Sequence, residues 1–161
     1  MGSFSTSGND RDRIGAVDVY TGMYDTILVG TDGSVNANRA IVHALEQAEQ
    51  YDATLHGIFV VDMSHFDDPA LGSSELATNS VEDQGQRYLD DIETRANDLD
   101  VEFVGRCCHG RPHEEIVKYA DDIDADLIVL GYQGQSHTET DTIGSVTDRV
   151  VRASGRATLV V

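Results

Sequence analysis

The sequence predicts a single α/β domain built on one open parallel sheet with helices on both faces. Two hydrophobic periods alternate along residues 25–161, because short apolar runs typical of strands are followed by stretches in which apolar residues recur every three or four positions. The run at residues 126–131 is apolar throughout its interior, as expected for a strand that is covered on both faces. This alternation predicts the order βαβαβαβαβ with right-handed crossovers.

Five strands and four helices are predicted in order along the chain. Strands are expected where apolar runs lie between turn residues, at 26–31, 54–61, 101–107, 126–131 and 157–161. Helices are expected where apolar residues share one helical face, at 37–48, 81–99, 112–123 and 144–154. Residues 63–80 contain Pro69 and Gly72 and are predicted to form a loop.

The length of the chain and its first residues predict one folded domain with a tail. Residues 1–24 mix glycine, serine and aspartate without a sustained period, so we expect a flexible N-terminal tail before a domain that spans residues 25–161. The sequence has no apolar run of about 18 residues and no apolar signal core at its start, which predicts a cytoplasmic location and no membrane partner. Cys107 and Cys108 are adjacent, a spacing that disfavours a disulfide, so both thiols are expected to be reduced.

The charge of the chain excludes one class of partner and indicates a saline environment. The formal net charge is −18, whereas nucleic-acid binding requires a basic face, so we expect no nucleic-acid partner. Asp outnumbers Glu by 20 to 9, and Lys118 is the only lysine. This composition suits molar salt, where carboxylates hold water and their mutual repulsion is screened, and it predicts a halophilic protein. An acidic protein from an ordinary cytoplasm is the alternative.

The most informative segment lies between the fourth predicted strand and the last predicted helix. It contains Gly131, Gly134, Gly144 and Ser145. Glycine can adopt positive φ and lets the backbone approach a ligand without a Cβ atom in the way. The first turn of the following helix offers unpaired N–H groups and a partial positive charge. The segment therefore favours an anion site suited to phosphate, and a long surface loop without a ligand is the alternative.

The spacing Gly131-x₂-Gly134-x₉-Gly144-Ser145 resembles the nucleotide-binding signature of the universal stress protein family, in its ATP-binding branch. The resemblance extends to ILVGTDGS at 27–34, to FVVD at 59–62, and to the segments 110–131 and 144–161. It implies a Rossmann-like fold of the adenine nucleotide alpha hydrolase type, with the strand order 3-2-1-4-5. It also implies a homodimer, because the last strand, Thr158 to Val161, resembles the edge through which members of the family pair.

The resemblance implies a cofactor and assigns five residues to the adenosine. ATP would bind with Mg²⁺ or Mn²⁺, and the metal would be held through the phosphates, not by side chains. Thr31 and Asp32 match positions beside the adenosine, where the Asp32 carboxylate would accept a hydrogen bond from an adenine amine or a ribose hydroxyl. Val60 matches a backbone contact to adenine, and Gly131 and Gln133 match positions on the ribose side.

Four further residues match the phosphate positions of the family. They are Gly134, Gly144, Ser145 and Val146. The resemblance assigns no catalytic residue.

The loop also departs from the pattern of the family. Tyr132 and Gln133 stand where family members often carry a basic residue, and Glu139 and Asp141 place like charges near a triphosphate. Rapid hydrolysis needs cations that stabilise the developing charge, and the loop contains no lysine or arginine. We therefore expect slow ATP hydrolysis at most.

Together these features predict an ATP-binding stress-response protein that acts as a nucleotide-dependent switch or binder. The alternative is a homodimeric interaction module of the same fold that binds no nucleotide. A third hypothesis, an ATP-cleaving enzyme, differs from both by a turnover above about 1 s⁻¹.

Overall fold

The structure is a computed structural model that describes residues 23–65, 74–135 and 142–161. The predicted tail lies outside these residues apart from Met23 and Tyr24, so its flexibility and the domain boundary stay predictions. The Tyr24 ring meets the Tyr51 ring edge-on, with 5.0 Å between the ring centroids.

The described residues form one five-stranded parallel sheet, as predicted. Its strands are β1 (Thr26–Gly30), β2 (Thr54–Asp62), β3 (Phe103–Gly110), β4 (Leu127–Leu130) and β5 (Ala157–Val160). The strand order is β3-β2-β1-β4-β5 and every neighbouring pair is parallel, which confirms the order implied by the family resemblance. In this register Leu28 of β1 lies between His56 of β2 and Ile128 of β4.

Four α-helices connect these strands within the described part of the chain. They are α1 (Val35–Tyr51), α2 (Ser74–Asp98), α3 (Pro112–Asp122) and α4 (Ser145–Ala153), and a short 3₁₀ helix covers Met63–His65. The prediction of a loop as far as residue 80 is wrong, because α2 begins at Ser74 and no proline or glycine interrupts it before Val81. No described helix is long and apolar enough to cross a bilayer.

The sheet separates two hydrophobic cores because successive side chains of a strand point to opposite faces. In β1, Ile27 and Val29 enter the core beneath α1 and α2, whereas Leu28 enters the core beneath α3 and α4. All three side chains are fully buried. A strand with this pattern needs helices on both faces, which explains why its sequence is continuously apolar.

The crossovers also create the crevice in which a ligand can lie. β1 and β4 are neighbours in the sheet, yet β1 is followed by α1 on one face and β4 by α4 on the other. Since the two connections leave in opposite directions, a gap opens beyond the carboxyl ends of the two strands.

The side chain of Arg156 connects the turn before β5 to the turn before β4 through hydrogen bonds. Its Nη1 donates to the Ala125 carbonyl at 2.6 Å and to Asp124 Oδ1 at 3.1 Å. Its Nη2 donates to Asp121 Oδ1 at 3.3 Å. One guanidinium thus serves three acceptors that precede the central strand β4.

Replacing this arginine (Arg156→Met) is expected to lower the free energy of unfolding by about 1–2 kcal/mol, since a carbonyl and two carboxylates lose their donor. Arg152→Met is the control, because Arg152 is 77% exposed and pairs with Asp148 one turn away, a contact worth about 0.3–0.5 kcal/mol. Urea unfolding measures both variants. Equal losses in the two variants would contradict the role assigned to Arg156.

A half-buried histidine joins β2 to α3. His56 Nδ1 lies 2.8 Å from the Tyr119 hydroxyl, and the Arg106 guanidinium lies 4.8 Å from the centroid of the Tyr119 ring. Burial lowers the pKa of His56 below its ordinary value of 6.5, and the Glu102 carboxylate opposes this shift. The folded state therefore favours the neutral imidazole.

We expect the stability of the protein to fall on acidification through this histidine. The unfolded chain takes up the proton near pH 6.5 and the folded chain at a lower pH, so the free energy of unfolding decreases as the pH falls through that window. His56→Gln should flatten this part of the pH profile, and the same substitution at the exposed His43 controls for the loss of an imidazole. An NMR titration midpoint for His56 at or above 6.5 would contradict the prediction.

Candidate functional site

A cavity of about 550 Å³ opens at the carboxyl ends of β1, β2 and β4. Four segments that are distant in sequence meet there because parallel strands end at the same edge of the sheet. All the residues that the sequence assigns to a ligand line this cavity: Thr31, Asp32, Val60, Gly131, Gln133, Gly134, Gly144, Ser145 and Val146.

The turn after β1 is held by its own side chains. The buried Thr31 donates its N–H to the Ile58 carbonyl at 3.0 Å, and its hydroxyl accepts the Gly33 N–H at 3.2 Å. Gly33 has a φ of +78°, in the left-handed region that favours glycine. Asp32 Oδ1 accepts the Ser34 N–H at 2.9 Å, which turns the chain into α1. The Asp32 carboxylate is thereby placed at the wall of the cavity.

Residues 131–135, which we name the glycine arm, run from the end of β4 along the cavity wall. Gly131 lies so close to α1 that an added Cβ would come within 2.7 Å of the Asn36 carbonyl carbon. Asn36 Nδ2 donates to the Gln133 carbonyl at 3.3 Å, and the Gln135 N–H donates to Asp32 Oδ2 at 2.8 Å. The glycine arm is therefore docked on the start of α1 and on the turn after β1.

Glycine suits a ligand loop because it can adopt positive φ and because it has no side chain, and the three glycines of this loop use only the second property. Gly131, Gly134 and Gly144 all lie outside the left-handed region. Their missing side chains admit neighbouring protein atoms instead. An added Cβ at Gly134 would lie 2.6 Å from Asp32 Oδ2, and one at Gly144 would lie 3.2 Å from the Gln133 Cα atom.

The two ends of the loop are joined to each other and to the last strand. The Gly144 N–H donates to the Tyr132 carbonyl at 2.8 Å, and the buried Thr147 hydroxyl donates to the Gly131 carbonyl at 2.7 Å. The Tyr132 N–H donates to the Val161 carbonyl at 2.6 Å. Several backbone N–H and C=O groups of the loop thus form hydrogen bonds with other protein groups.

Helix α4 begins at the cavity with Gly144 as its N-cap, a residue that has no side chain to cap the first turn. The N–H groups of Ser145, Val146 and Thr147 belong to this turn, where an α-helix supplies no intrahelical acceptor. These donors and the helix dipole favour an anion. No lysine or arginine is among the described residues that line the cavity, so the partial positive charge available to an anion comes from backbone N–H groups.

Apolar side chains of β2 and α3 also line the cavity. Ile58 and Phe59 of β2 are 1% and 6% exposed, and Ile116 of α3 is 5% exposed. Val60 is half-buried and lies opposite Cys108 of β3. The cavity is therefore lined by apolar side chains of β2 and α3, by the carboxylate-bearing end of β2, and by the first turn of α4.

Comparisons with known proteins place this arrangement in a family. A model of the Universal stress protein family matches residues 23–161. The chain belongs to the universal stress protein family. Universal stress protein MJ0531 of Methanocaldococcus jannaschii is 36% identical to it over 140 residues, which are 86% of this chain and 82% of that protein.

Solved structures of the family share the fold. The structure of MJ0577 of M. jannaschii is 27% identical, with a TM-score of 0.78 over 86% of this chain and 96% of that one. Universal stress protein UspA from Lactobacillus plantarum is 26% identical, with a TM-score of 0.75 over 87% of this chain and 99% of its own. A universal stress protein in complex with cAMP is 28% identical, with a TM-score of 0.63 over 87% and 98% of the two chains.

Three further residues that line the cavity have no site role assigned from the sequence. Asp62, Ile116 and Thr147 also line it. Asp62 ends β2, and its Oδ1 accepts the N–H of Ser64 at 3.0 Å and the hydroxyl of Ser64 at 2.6 Å. Its position at the carboxyl end of a parallel strand could have predicted that it lines the cavity, because ligands bind at that edge of such sheets. Ile116 lines the cavity because α3 packs on this face of the sheet, and no local sequence pattern predicts which residue of a helix will reach a cavity.

The acidic positions of the loop, Glu139 and Asp141, lie outside the described residues. Gln133, predicted beside the ribose, lines the cavity, and its Nε2 donates to the Thr142 carbonyl at 2.7 Å. Its side chain therefore braces the glycine arm against the returning end of the loop.

The part of the chain that the structure describes offers neither a cluster of metal-binding side chains nor an activated thiol. There, no group of three or more His, Cys, Asp or Glu side chains could hold a metal ion. Cys107 and Cys108 are free thiols, as predicted. Burial raises the pKa of both thiols, so neither is activated as a thiolate at neutral pH.

Proposed function

We propose that this universal stress protein binds an adenine nucleotide, ATP together with Mg²⁺ or Mn²⁺, and acts in the stress response as a nucleotide-dependent switch or binder. The observation that carries the proposal is the cavity of about 550 Å³, in which nine residues that match the family's nucleotide positions meet the uncapped start of α4. The complex of a 28% identical relative with cAMP supports the choice of an adenine nucleotide.

The apolar side chains of the cavity and the first turn of α4 suit the two ends of such a ligand. Adenine would lie against the apolar side chains beside Val60, and the phosphates would accept hydrogen bonds from the N–H groups of Ser145 and Val146. Each carboxylate oxygen of Asp32 accepts one backbone N–H and keeps a second acceptor site, so Asp32 can still accept from the adenosine.

The described lining residues fit a metal held through the phosphates. Mg²⁺ commonly keeps several waters and binds substrate phosphates rather than a cage of protein ligands, which agrees with a described chain in which no group of three or more His, Cys, Asp or Glu side chains could hold a metal ion. The bound metal would neutralise phosphate charge. Because the described lining contains no cationic side chain, we propose slow hydrolysis at most.

A matched pair of variants at Ser145 tests the proposal. Ser145→Pro removes the N–H of a residue that lines the cavity but preserves α4, since proline suits the first helical position and the preceding Gly144 is extended, with ψ 148°. Ser145→Ala removes the hydroxyl and keeps the N–H. We expect Ser145→Pro to weaken ATP binding about tenfold or more and adenosine binding little. Ser145→Ala should have the smaller effect on ATP.

Calorimetry in about 2–3 M KCl measures these affinities, because we also propose a saline cytoplasm as the working environment of this acidic chain. A wild-type protein with no saturable ATP binding below about 1 mM would contradict the proposal and favour the interaction module. A turnover above about 1 s⁻¹ would favour an enzyme instead.

We also propose that two copies pair through β5. The Val161 N–H donates to the Leu130 carbonyl at 2.9 Å and the Val161 carbonyl accepts the Tyr132 N–H, so both groups of Val161 face β4. Because peptide groups alternate in direction along a strand, those of Val160 and Thr158 point away from β4. Residues 157–161 are uncharged in a chain of net charge −18, which favours a second copy at this edge.

Val160→Pro is expected to convert the dimer to a monomer. Proline removes an outward N–H and is tolerated on an edge strand, so the bonds between β4 and β5 should persist. Val160→Ala keeps that N–H and should remain dimeric. Sedimentation in high salt distinguishes the two states, and a dimeric Val160→Pro protein would reject this edge as the contact.

A further inference from the structure

The two oxygens of the Asp32 carboxylate accept backbone hydrogen bonds from different parts of the chain. Oδ1 accepts the Ser34 N–H at 2.9 Å within its own turn. Oδ2 accepts the N–H of Gln135, 103 residues further along, at 2.8 Å. Hydrogen bonds to an ionised acceptor are stronger than those between neutral groups. Asp32 therefore connects the end of β1 firmly to the far end of the glycine arm.

The same carboxylate occupies the space that a side chain at position 134 would need. A Cβ added to Gly134 would lie 2.6 Å from Asp32 Oδ2 and 3.8 Å from the Asp32 carboxyl carbon. Gly134 does not adopt positive φ, so its backbone conformation does not itself require glycine. Among the described residues, Asp32 is what excludes a side chain there.

We propose that Asp32 is a positioning residue that latches the glycine arm beside the cavity, and that Gly134 lacks a side chain in order to admit this carboxylate. An arm that is held in place before a ligand arrives does not have to be ordered on binding, which favours affinity for the phosphates. The inference rests on the proposed function for its effect on nucleotide affinity. The contact between Asp32 and Gly134 exists without a ligand.

A double-mutant cycle on stability tests the latch without nucleotide. Gly134→Ala places a methyl group against the carboxylate, and Asp32→Ala removes the carboxylate. We expect Gly134→Ala to raise the unfolding equilibrium constant about tenfold in the wild-type background, because the methyl group and the carboxylate compete for the same space. When Asp32 is also replaced by alanine, we expect Gly134→Ala to change that constant about twofold or less. Additive effects would overturn the proposal. Gly105→Ala is the control, because its Cβ would meet Phe103 and Leu89, and its effect should add to that of Asp32→Ala.

Hydrogen exchange gives a second measurement that does not require the Gly134→Ala protein to fold. Gln135 is exposed, yet its N–H is bonded to Asp32, so we expect slow exchange in the wild type. Asp32→Ala should accelerate exchange at Gln135 about tenfold, whereas the amide of Leu28, inside β1, should keep its rate. An unchanged rate at Gln135 would overturn the latch.

Affinities for ATP and adenosine distinguish this inference from the proposed function. Asp32→Asn and Asp32→Ala remove the same charge, but asparagine keeps one acceptor oxygen. We expect Asp32→Ala to lower ATP affinity about tenfold more than adenosine affinity, and Asp32→Asn to restore part of that difference. Equal losses for the two ligands would overturn the positioning role. A wild type that binds no ATP would instead overturn the proposed function, and the stability cycle would still decide on the latch.

Discussion

The double burial of the central strands is the constraint on which the rest of the structure depends. β1 sends Ile27 and Val29 into one core and Leu28 into the other, so both faces of the sheet must be covered by helices. Right-handed crossovers then place α1 and α4 on opposite faces beyond two adjacent strands. The crevice follows from the burial of apolar strands, and the polar groups at its rim are added to a gap that the topology already provides.

The backbone N–H groups around this crevice fall into two sets, those that bond to protein acceptors and those in the first turn of α4. The N–H groups of Tyr132, Gly144 and Gln135 bond to protein acceptors and shape the loop. Those at the start of α4, beginning with Ser145, have no intrahelical acceptor and belong to residues that line a cavity whose described lining has no cationic side chain. The glycines serve mainly the first set, because they let the loop lie against α1 and Asp32. The capacity to hold an anion resides in the first turn of the helix.

The fold was predictable from the sequence because apolar periodicity is a local property. The strand order came from the family resemblance, and the start of α2 was placed too late because a nearby Pro and Gly suggested a longer loop. The reasons for the glycines were not predictable. Gly134 and Asp32 touch across 102 positions of sequence, and a glycine that makes room for a distant carboxylate looks the same in sequence as one that makes room for a phosphate.

The bond between Tyr132 and Val161 has a consequence for communication across the molecule. The N–H of Tyr132 reaches the strand at the edge of the sheet, while its carbonyl accepts from the N-cap of α4. One residue thus connects that edge of the sheet to the crevice through two hydrogen bonds. Thermodynamic reciprocity links the two proposals: if pairing through β5 changes the affinity of the crevice for a nucleotide by some factor, the nucleotide changes the pairing affinity by the same factor.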